Sequence, residues 1–322
     1  MIRVGIAGAG FIGRVHAQSV DMMDNAVLSG IFDKNLEAAK SLAQLYNSNF
    51  FETFEELLDN SDVVILAIPT PYRKDFLELS IKKGKHVFCE KPLARTIEEA
   101  YRIKQIVKAS KVKFMVDHVV RFFPEYRKIH DMILEGKVGD VSEVRSFRGG
   151  PFPGWSNWFK SFQKSGGVLL DLAIHDIDFW SWTLGEVQSI KAYALDFSES
   201  IERDHGVVIM KFRSGAIAHI EATWAYPKGS AFRTMAEVVG SNGRAKFDSE
   251  SFNPLTIYSK NSRESLSPHS LTPWGVALKE FLKAVENDTE VPVSVDDGVK
   301  AVELSLKAID SAKTGETKVV KL

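Results

Sequence analysis

The first 118 residues alternate short apolar runs with amphipathic stretches. Val63 to Ile68 contains no polar residue, whereas apolar residues recur at helical spacing between Leu36 and Tyr46. A fully apolar run is typical of a central parallel strand that is covered on both faces. The repeated strand–helix order therefore predicts an α/β domain, a Rossmann-type doubly wound parallel sheet, over residues 1–118.

The pattern changes after residue 118. A helix is predicted from Pro124 to Leu134, and alternating apolar and polar runs follow, with turn sequences between them. This alternation predicts an α+β domain over residues 119–322, with a large, mostly antiparallel open sheet. It leaves open that the last helix packs back towards the first domain. The predicted strands are 141–147, 187–194, 206–212, 216–224, 234–239, 245–248 and 255–258.

A glycine-rich turn follows the first predicted strand. Ile2–Ala7 leads directly into Gly8-Ala9-Gly10-Phe11-Ile12-Gly13, and a helical pattern comes next. In G-x-G-x-x-G between a strand and a helix, the glycines permit a sharp turn, the approach of a pyrophosphate and close helix packing. Asp33 ends the next apolar run, where the ribose-binding acid of a dinucleotide site belongs. The alternative for Asp33 is an N-cap for the helix that follows.

Polar segments also follow other predicted strands, at Pro69-Thr70-Pro71, Glu90-Lys91-Pro92 and Asp117-His118. Ligands of such sheets bind outside the carboxyl ends of the strands, so we expect these segments around one cleft. Lys91 is either a functional ammonium or a surface lysine that caps carbonyl groups. The candidate cofactor contacts are Gly8, Gly10, Phe11, Ile12, Gly13, Asp33, Pro69, Thr70, Glu90 and Lys91.

The second half contains one stretch that suits proton transfer. Residues 165–180 have helical periodicity after their glycines, which places Asp171 and His175 on one helix face. The alternatives are an acid near a helix terminus with a neighbouring histidine, and a metal pair. A third ligand at suitable spacing is not evident, so no metal is predicted. In the preceding loop, Trp155 and Trp158 are either sugar-stacking residues or packing anchors.

Composition narrows the function classes. The chain has 322 residues, a formal net charge of -1 and one cysteine. The absence of a basic block argues against nucleic acid, and no apolar run is long enough to span a bilayer. The single cysteine, Cys89, fits a reducing compartment and a buried strand position. We therefore expect a soluble cytoplasmic protein without a membrane or nucleic-acid partner.

These motifs together resemble the glucose–fructose oxidoreductase, inositol dehydrogenase and rhizopine-catabolism (Gfo/Idh/MocA) family over nearly the whole chain. The Glu-Lys-Pro sequence is the most specific of them. The segments that carry the resemblance are 8–13, 89–92, 121–126, 166–175 and 311–315.

The resemblance implies an NAD(P)-dependent oxidoreductase that transfers a hydride between the nicotinamide and a secondary hydroxyl of a sugar, cyclitol or nucleotide-sugar. It implies that His175 exchanges the hydroxyl proton, Lys91 orients the hydroxyl and Asp171 supports the histidine. NAD is expected over NADP, because the Asp33 carboxylate repels a 2′-phosphate. The candidate substrate contacts are Lys91, His118, Arg121, Trp155, Asp171 and His175.

The family resemblance also implies a homodimer or homotetramer assembled through the second sheet. Core packing explains the apolar residues of that sheet equally well. Two other functions stay open: a non-catalytic dinucleotide-binding sensor, and a glycoside-cleaving enzyme that uses NAD transiently. One departure concerns Arg73, because many members carry a histidine four residues after the proline of that strand-end loop.

Overall fold

The computed structural model describes residues 1–154, 156–197, 202–251, 255–259, 262–266 and 272–321. The chain divides into two compact units. The first consists of residues 1–119 and 271–299, and the second consists of residues 120–270 and 300–322. The chain therefore leaves the first unit at residue 119 and returns to it for 29 residues.

The first 118 residues form six strands and five helices in alternation. They are β1 (Ile2–Ala7), α1 (Phe11–Asp21), β2 (Ala26–Phe32), α2 (Leu36–Leu45), β3 (Asn49–Phe51), α3 (Phe54–Asp59), β4 (Val63–Leu66), α4 (Lys74–Lys82), β5 (His86–Glu90), α5 (Ile97–Lys108) and β6 (Phe114–Asp117).

The six strands form one parallel sheet in the order β3-β2-β1-β4-β5-β6. The central strand β4 is buried along its whole length, as its uninterrupted apolar sequence predicts. The chain order reverses between β1 and β4, which is where a doubly wound sheet opens a crevice for a ligand. The predicted Rossmann-type sheet is confirmed.

The remainder of the chain contributes nine strands and six helices within the described ranges. They are α6 (Pro124–Leu134), β7 (Val141–Pro151), α7 (Phe162–Ser165), α8 (Gly167–Asp171), α9 (Ile174–Leu184), β8 (Val187–Leu195), β9 (His205–Phe212), β10 (Ile217–Tyr226), β11 (Arg233–Gly240), β12 (Gly243–Asp248), β13 (Leu255–Ser259), β14 (Arg263–Leu266), α10 (Pro273–Glu286), α11 (Val295–Thr314) and β15 (Lys318–Val319).

The nine strands form a second sheet in the order β14-β13-β12-β11-β7-β10-β9-β8-β15. All neighbours are antiparallel except β7 and β10, which run parallel. Trp180, Phe179 and Tyr126 come from helices and lie fully buried against this sheet's core residues, such as Ile220. The predicted large and mostly antiparallel sheet is confirmed.

Two local predictions in this unit are wrong. Residues 167–184 form two helices rather than one, because the backbone hydrogen bonds change between them: Ala173 N donates to Val168 O at 2.7 Å, and Asp176 N donates to Ala173 O at 3.0 Å. Strand β7 continues past Phe147 to Pro151, since both of its neighbours keep pairing with it there. The sequence did not predict this extension, because the segment contains glycine residues, which do not favour a strand.

The helices offer no membrane-spanning segment. Within the described ranges, none combines the length and the apolar character that crossing a bilayer requires.

Candidate active site

The carboxyl ends of the parallel strands lie level with one another in the first unit. Ala7 is in register with Phe32 on one side and Leu66 on the other, and Glu90 is in register with Asp117. The segments that follow these strands therefore share one edge of the sheet. The predicted cofactor residues in these segments are Gly8, Gly10, Asp33, Pro69, Thr70 and Lys91.

The three motif glycines have different surroundings. A Cβ atom on Gly8, whose φ is +110°, would lie 2.4 Å from Ala67 O, and a Cβ atom on Gly13 would lie 1.9 Å from Gly8 O. Neither position accepts a side chain. A Cβ atom on Gly10 would meet no atom within 4 Å, so this part of the loop opens onto space that a phosphate group can approach. Phe11 is exposed and Ile12 is half-buried beside it.

The Asp33 carboxylate links the glycine-rich turn to the end of β2. Its Oδ2 accepts a hydrogen bond from Ala9 N at 2.7 Å, and its Oδ1 accepts one from Asn35 N at 2.7 Å. The N-cap of α2 is Asn35, whose side chain accepts from Ala38 N at 3.2 Å. The alternative that Asp33 is itself the N-cap is therefore wrong, and its carboxylate lies directly after β2, beside the glycine-rich turn.

Two side chains follow β4. Thr70 begins a short 3-10 turn, and Arg73 lies between this turn and α4. The Thr70 hydroxyl is buried and has no hydrogen-bond partner within the described part of the chain. The Arg73 side chain is buried as well, and it donates hydrogen bonds to the carbonyl oxygens of Ile68, Glu90 and Pro92. The peptide bond between Lys91 and Pro92 is cis.

A buried group of ionisable side chains lies beneath this edge. His16 of α1 is hydrogen-bonded through Nε2 to Glu90 Oε1 at 2.7 Å, and the same nitrogen lies 3.8 Å from Asp117 Oδ2. All three residues are buried, and their ligand-type atoms lie within 4.8 Å of one another. We refer to these residues as the His16–Glu90–Asp117 cluster.

The pKa values of the two carboxyl groups of the cluster are shifted in opposite directions. Burial, followed by the charge of Glu90 and a hydrogen bond with it, raises the pKa of Asp117 well above its usual range. Burial also raises the pKa of Glu90, but the hydrogen bond from His16 and the charges of His16, Lys91 and Arg73 bring that pKa below its usual range. Neither Asp117 oxygen accepts a hydrogen bond from a described donor, and the burial and the nearby Glu90 carboxylate both favour the protonated form of Asp117.

The same three side chains are of the types that ligate metals. A metal ion would have to break the 2.7 Å hydrogen bond between His16 and Glu90 and bind Asp117 in its ionised form, which burial disfavours. The His16–Glu90 hydrogen bond already engages two of the three side chains, and we assign the cluster no metal. No sequence pattern indicated it, because its members come from one helix and two separate strand ends.

Asp171 and His175 lie in one segment of the second unit. Asp171 is the last residue of α8 and is 8 % exposed, and His175 is in the first turn of α9. Gly166 and Gly167 both have positive φ, and Val168 N donates to Arg203 O at 3.0 Å, which fixes the start of α8. The two residues belong to two consecutive helices instead of one helix face.

Arg121, a predicted substrate contact, is buried and engaged by a carboxylate. Its Nε donates to Asp178 Oδ2 at 2.7 Å and its Nη2 donates to Asp178 Oδ1 at 2.6 Å. The guanidinium also lies 5.0 Å from the centre of the Trp182 ring. Two parallel hydrogen bonds of this kind hold the Arg121 guanidinium and the Asp178 carboxylate rigidly.

A second arginine makes a similar contact. Arg148 donates through Nε to Asp176 Oδ2 at 2.7 Å, and through Nη2 to the Tyr126 hydroxyl at 3.1 Å. Both charged partners are buried. Asp176 and Asp178, both on α9, are thus each held by a buried arginine. This role was not predicted from the sequence.

The remaining predicted substrate contacts are placed as follows. His118 is buried directly after β6. Trp155 lies outside the described residues. Its neighbour Trp158 stacks on Phe159 with a centroid distance of 4.1 Å, an arrangement that suits a packing anchor.

Two family models match the chain. One, described as an oxidoreductase family with an NAD-binding Rossmann fold, matches residues 2–118. The other, described as the Gfo/Idh/MocA C-terminal domain, matches residues 126–246. The chain belongs to the Gfo/Idh/MocA family. The expected enzyme class, an NAD-dependent oxidoreductase, is therefore confirmed.

Two relatives and one solved structure illustrate the similarity. Inositol 2-dehydrogenase of Rhizobium meliloti (strain 1021) is 29% identical over 328 residues, which cover 96% of each chain. 2,7-anhydro-N-acetylneuraminate hydratase of Escherichia coli (strain K12) is 29% identical over 265 residues, 77% of this chain and 68% of the relative. A myo-inositol dehydrogenase from Corynebacterium glutamicum ATCC 13032 has the same fold, with a TM-score of 0.86 and 23% identity over 100% of this chain and 99% of that one.

The residues at the sheet edge fit a dinucleotide. The space above Gly10 admits a pyrophosphate, the Asp33 carboxylate suits ribose hydroxyls, and the Thr70 hydroxyl has an unused donor and acceptor. These observations concern one unit and match the chemistry of the family model that covers it.

Proposed function

We propose that this protein is an NAD-dependent dehydrogenase that oxidises a secondary hydroxyl of a cyclitol or sugar, either free or attached to a nucleotide. The observation that carries the proposal is the sheet edge, where the glycine-rich turn, Asp33 and Lys91 follow strands that end in register. A relative that covers 96% of the chain is named inositol 2-dehydrogenase. In this proposal, residues 1–118 bind NAD and residues 119–322 bind the substrate.

The proposed chemistry assigns one task to each of three side chains. Bound NAD supplies the hydride acceptor. His175 accepts the hydroxyl proton, Asp171 holds the imidazole in the productive tautomer, and the Lys91 ammonium orients the hydroxyl and stabilises negative charge that develops on its oxygen. His118, Arg121 and Trp155 complete the proposed substrate contacts. Arg121 acts mainly by shaping the site, because Asp178 engages two of its N–H groups.

A Lys91→Ala variant tests this assignment. We expect turnover to fall by at least about a hundredfold while the Kd for NAD stays within about threefold, because the lost group acts on the substrate. The assay follows the absorbance of reduced nicotinamide with a panel of cyclitols, sugars and UDP-sugars. Lys82→Ala, on an exposed turn of α4, is the matched control. Unchanged turnover of Lys91→Ala would remove this residue from the mechanism.

A second candidate function is suggested by the relative that is named a hydratase. A reaction that oxidises and then re-reduces the substrate would use NAD without net reduction. The same panel separates the candidates. Product together with accumulating NADH supports the dehydrogenase, product without NADH supports transient use of NAD, and binding without product indicates a sensor.

We also propose that NAD is preferred over NADP. The Asp33 carboxylate lies at the end of β2, although Arg14 and Lys34 are nearby cations in the sequence. Comparable kcat/KM values for the two cofactors would contradict this preference.

We further propose a cytoplasmic homodimer or homotetramer that forms through the second sheet. Tyr193, Leu195 and Ile217 project large apolar surfaces from strands of this sheet and are 62%, 49% and 47% exposed. Light scattering should therefore give a multiple of 35.9 kDa, and Ile217→Lys should lower it. A monomeric wild-type protein would contradict the proposal.

A further inference from the structure

Arg73 occupies an unusual place for a cationic side chain. It follows the 3-10 turn Thr70–Tyr72 and precedes α4, and it is only 3% exposed. An arginine is rarely this buried unless acceptors surround its guanidinium.

The acceptors of Arg73 are mainly main-chain oxygens. Nε and Nη2 donate to Ile68 O at 2.9 and 2.8 Å. Nη1 donates to Pro92 O at 2.7 Å and also to Glu90 O. The thiol of Cys89 is a weaker acceptor at 3.7 Å. The side chain thus joins the chain after β4 to the chain after β5.

Glu90 and Pro92 are the two neighbours of Lys91. One guanidinium nitrogen therefore holds the peptide carbonyl on each side of this residue. Hydrogen bonds from a charged donor are among the strong ones, and a planar fork can reach several acceptors at fixed angles. An ammonium group is a single point of charge and cannot reproduce that geometry.

We propose that Arg73 is a positioning residue that fixes the main chain on both sides of Lys91 and thereby holds the Lys91 ammonium in place for catalysis. This rests on the proposed function of Lys91. Arg73 contacts neither the reacting hydroxyl nor the nicotinamide in this proposal. In this proposal, Arg73 is a support for the Glu-Lys-Pro turn.

The first measurement is amide hydrogen exchange of an Arg73→Lys variant without substrate. Peptides that cover residues 90–94 should exchange at least about tenfold faster than in the wild-type protein, because two carbonyl anchors of the turn are lost. Peptides from β1 should exchange at the wild-type rate. Lys82→Ala is the control and should match the wild-type protein in both regions.

The second measurement is a double-mutant cycle on kcat. Arg73→Lys should lower kcat by about thirtyfold to a hundredfold in the wild-type background, since small misplacements of a catalytic group are costly. In the Lys91→Ala background the same change should lower kcat by less than about threefold, because the group that it positions is absent. The KM for NAD should change little in either background.

Unchanged exchange over residues 90–94, or an equal loss of kcat in both backgrounds, would overturn the proposal. Wild-type turnover of Lys91→Ala would instead overturn the proposed function, and the exchange rates would still decide whether Arg73 holds this turn. Should Arg73→Lys fail to fold, Arg73→Gln replaces it, as this variant retains a neutral hydrogen-bond donor and lacks the buried charge.

Discussion

The buried acids of the two units are neutralised in different ways. In the first unit, Glu90 is hydrogen-bonded to a histidine, and burial beside Glu90 raises the pKa of Asp117 and so favours its neutral form. In the second unit, Asp176 and Asp178 are each held by an arginine. An arginine keeps its charge at every pH at which the protein is folded, whereas a neutral carboxyl group loses its proton as the pH rises. The stability that the buried acids of the first unit contribute should therefore respond to pH, and that of the buried acids of the second unit should depend on their arginine partners.

The largest effect is expected from breaking an arginine pair. Arg148→Met leaves Asp176 buried without its partner and should lower the free energy of unfolding by about 3–5 kcal/mol. Burial opposes the charge of Arg148, but the adjacent Asp176 carboxylate more than offsets this and raises its pKa. Urea unfolding monitored by fluorescence measures the loss.

The matched control for this pair removes both charges. Arg148→Met combined with Asp176→Leu should recover most of the lost stability, because an apolar pair of similar volume leaves no buried charge. Equal destabilisation of the single and double variants would show that packing, rather than the stranded carboxylate, explains the loss.

A smaller effect with a pH signature is expected in the His16–Glu90–Asp117 cluster. The folded pKa of Asp117 lies above its unfolded value, so its contribution to stability is present below about pH 4 and is lost as the pH rises towards the folded pKa. Asp117→Asn cannot ionise. Its Tm relative to wild type should therefore increase as the pH rises above about 4, as followed by calorimetry.

The contribution of Asp117 to stability can be separated from that of Glu90, because the two contributions are lost in different pH ranges. The pKa of Glu90 is lowered in the folded protein, so its own contribution is lost only as the pH falls below about 4. Asp24→Asn, on an exposed turn, is the control and should give a Tm curve parallel to wild type. A parallel curve for Asp117→Asn as well would contradict a buried neutral carboxyl group.

The smallest effect is expected at His130, a buried residue of the second unit whose contribution to stability is sensitive to acid. Burial, followed by the charge of Arg127, lowers the pKa of His130 to about 4. Its contribution is present above its unfolded pKa, about 6.5, and is lost as the pH falls towards 4. The ring stacks on Trp182 at 3.5 Å, so His130→Phe keeps the stacking and removes the titration. The Tm of this variant should fall less steeply than that of wild type between about pH 6.5 and pH 4.

Local patterns predicted much of the fold. The apolar run at β4 and the glycine-rich turn before α1 each follow from residues that are close in the sequence. The break between α8 and α9 does not, because helical periodicity continues through Leu172 and Ala173 while the hydrogen bonds change partners. Periodicity reports the direction of side chains and carries no information about which carbonyl accepts each bond.

The candidate site was predictable where it uses characteristic side chains. Glycine, aspartate and lysine at strand ends indicate the nucleotide edge from their places in the sequence alone. The role of Arg73 was not predictable, since its partners are main-chain carbonyls, which every residue carries. The His16–Glu90–Asp117 cluster was missed for a related reason: its members are separated by 74 and 27 positions and meet only through tertiary structure.

The return of residues 271–299 to the first unit has a consequence for synthesis. Helix α10 contacts α1 and β5, Phe281 packs on Phe88 at 5.5 Å, and Val116 N donates to Val293 O at 3.3 Å. A ribosome must synthesise the chain as far as residue 299 before all of these partners exist. The nucleotide-binding unit is the first to be synthesised in part and is completed only late. A nascent chain halted at residue 118 should therefore remain dependent on chaperones.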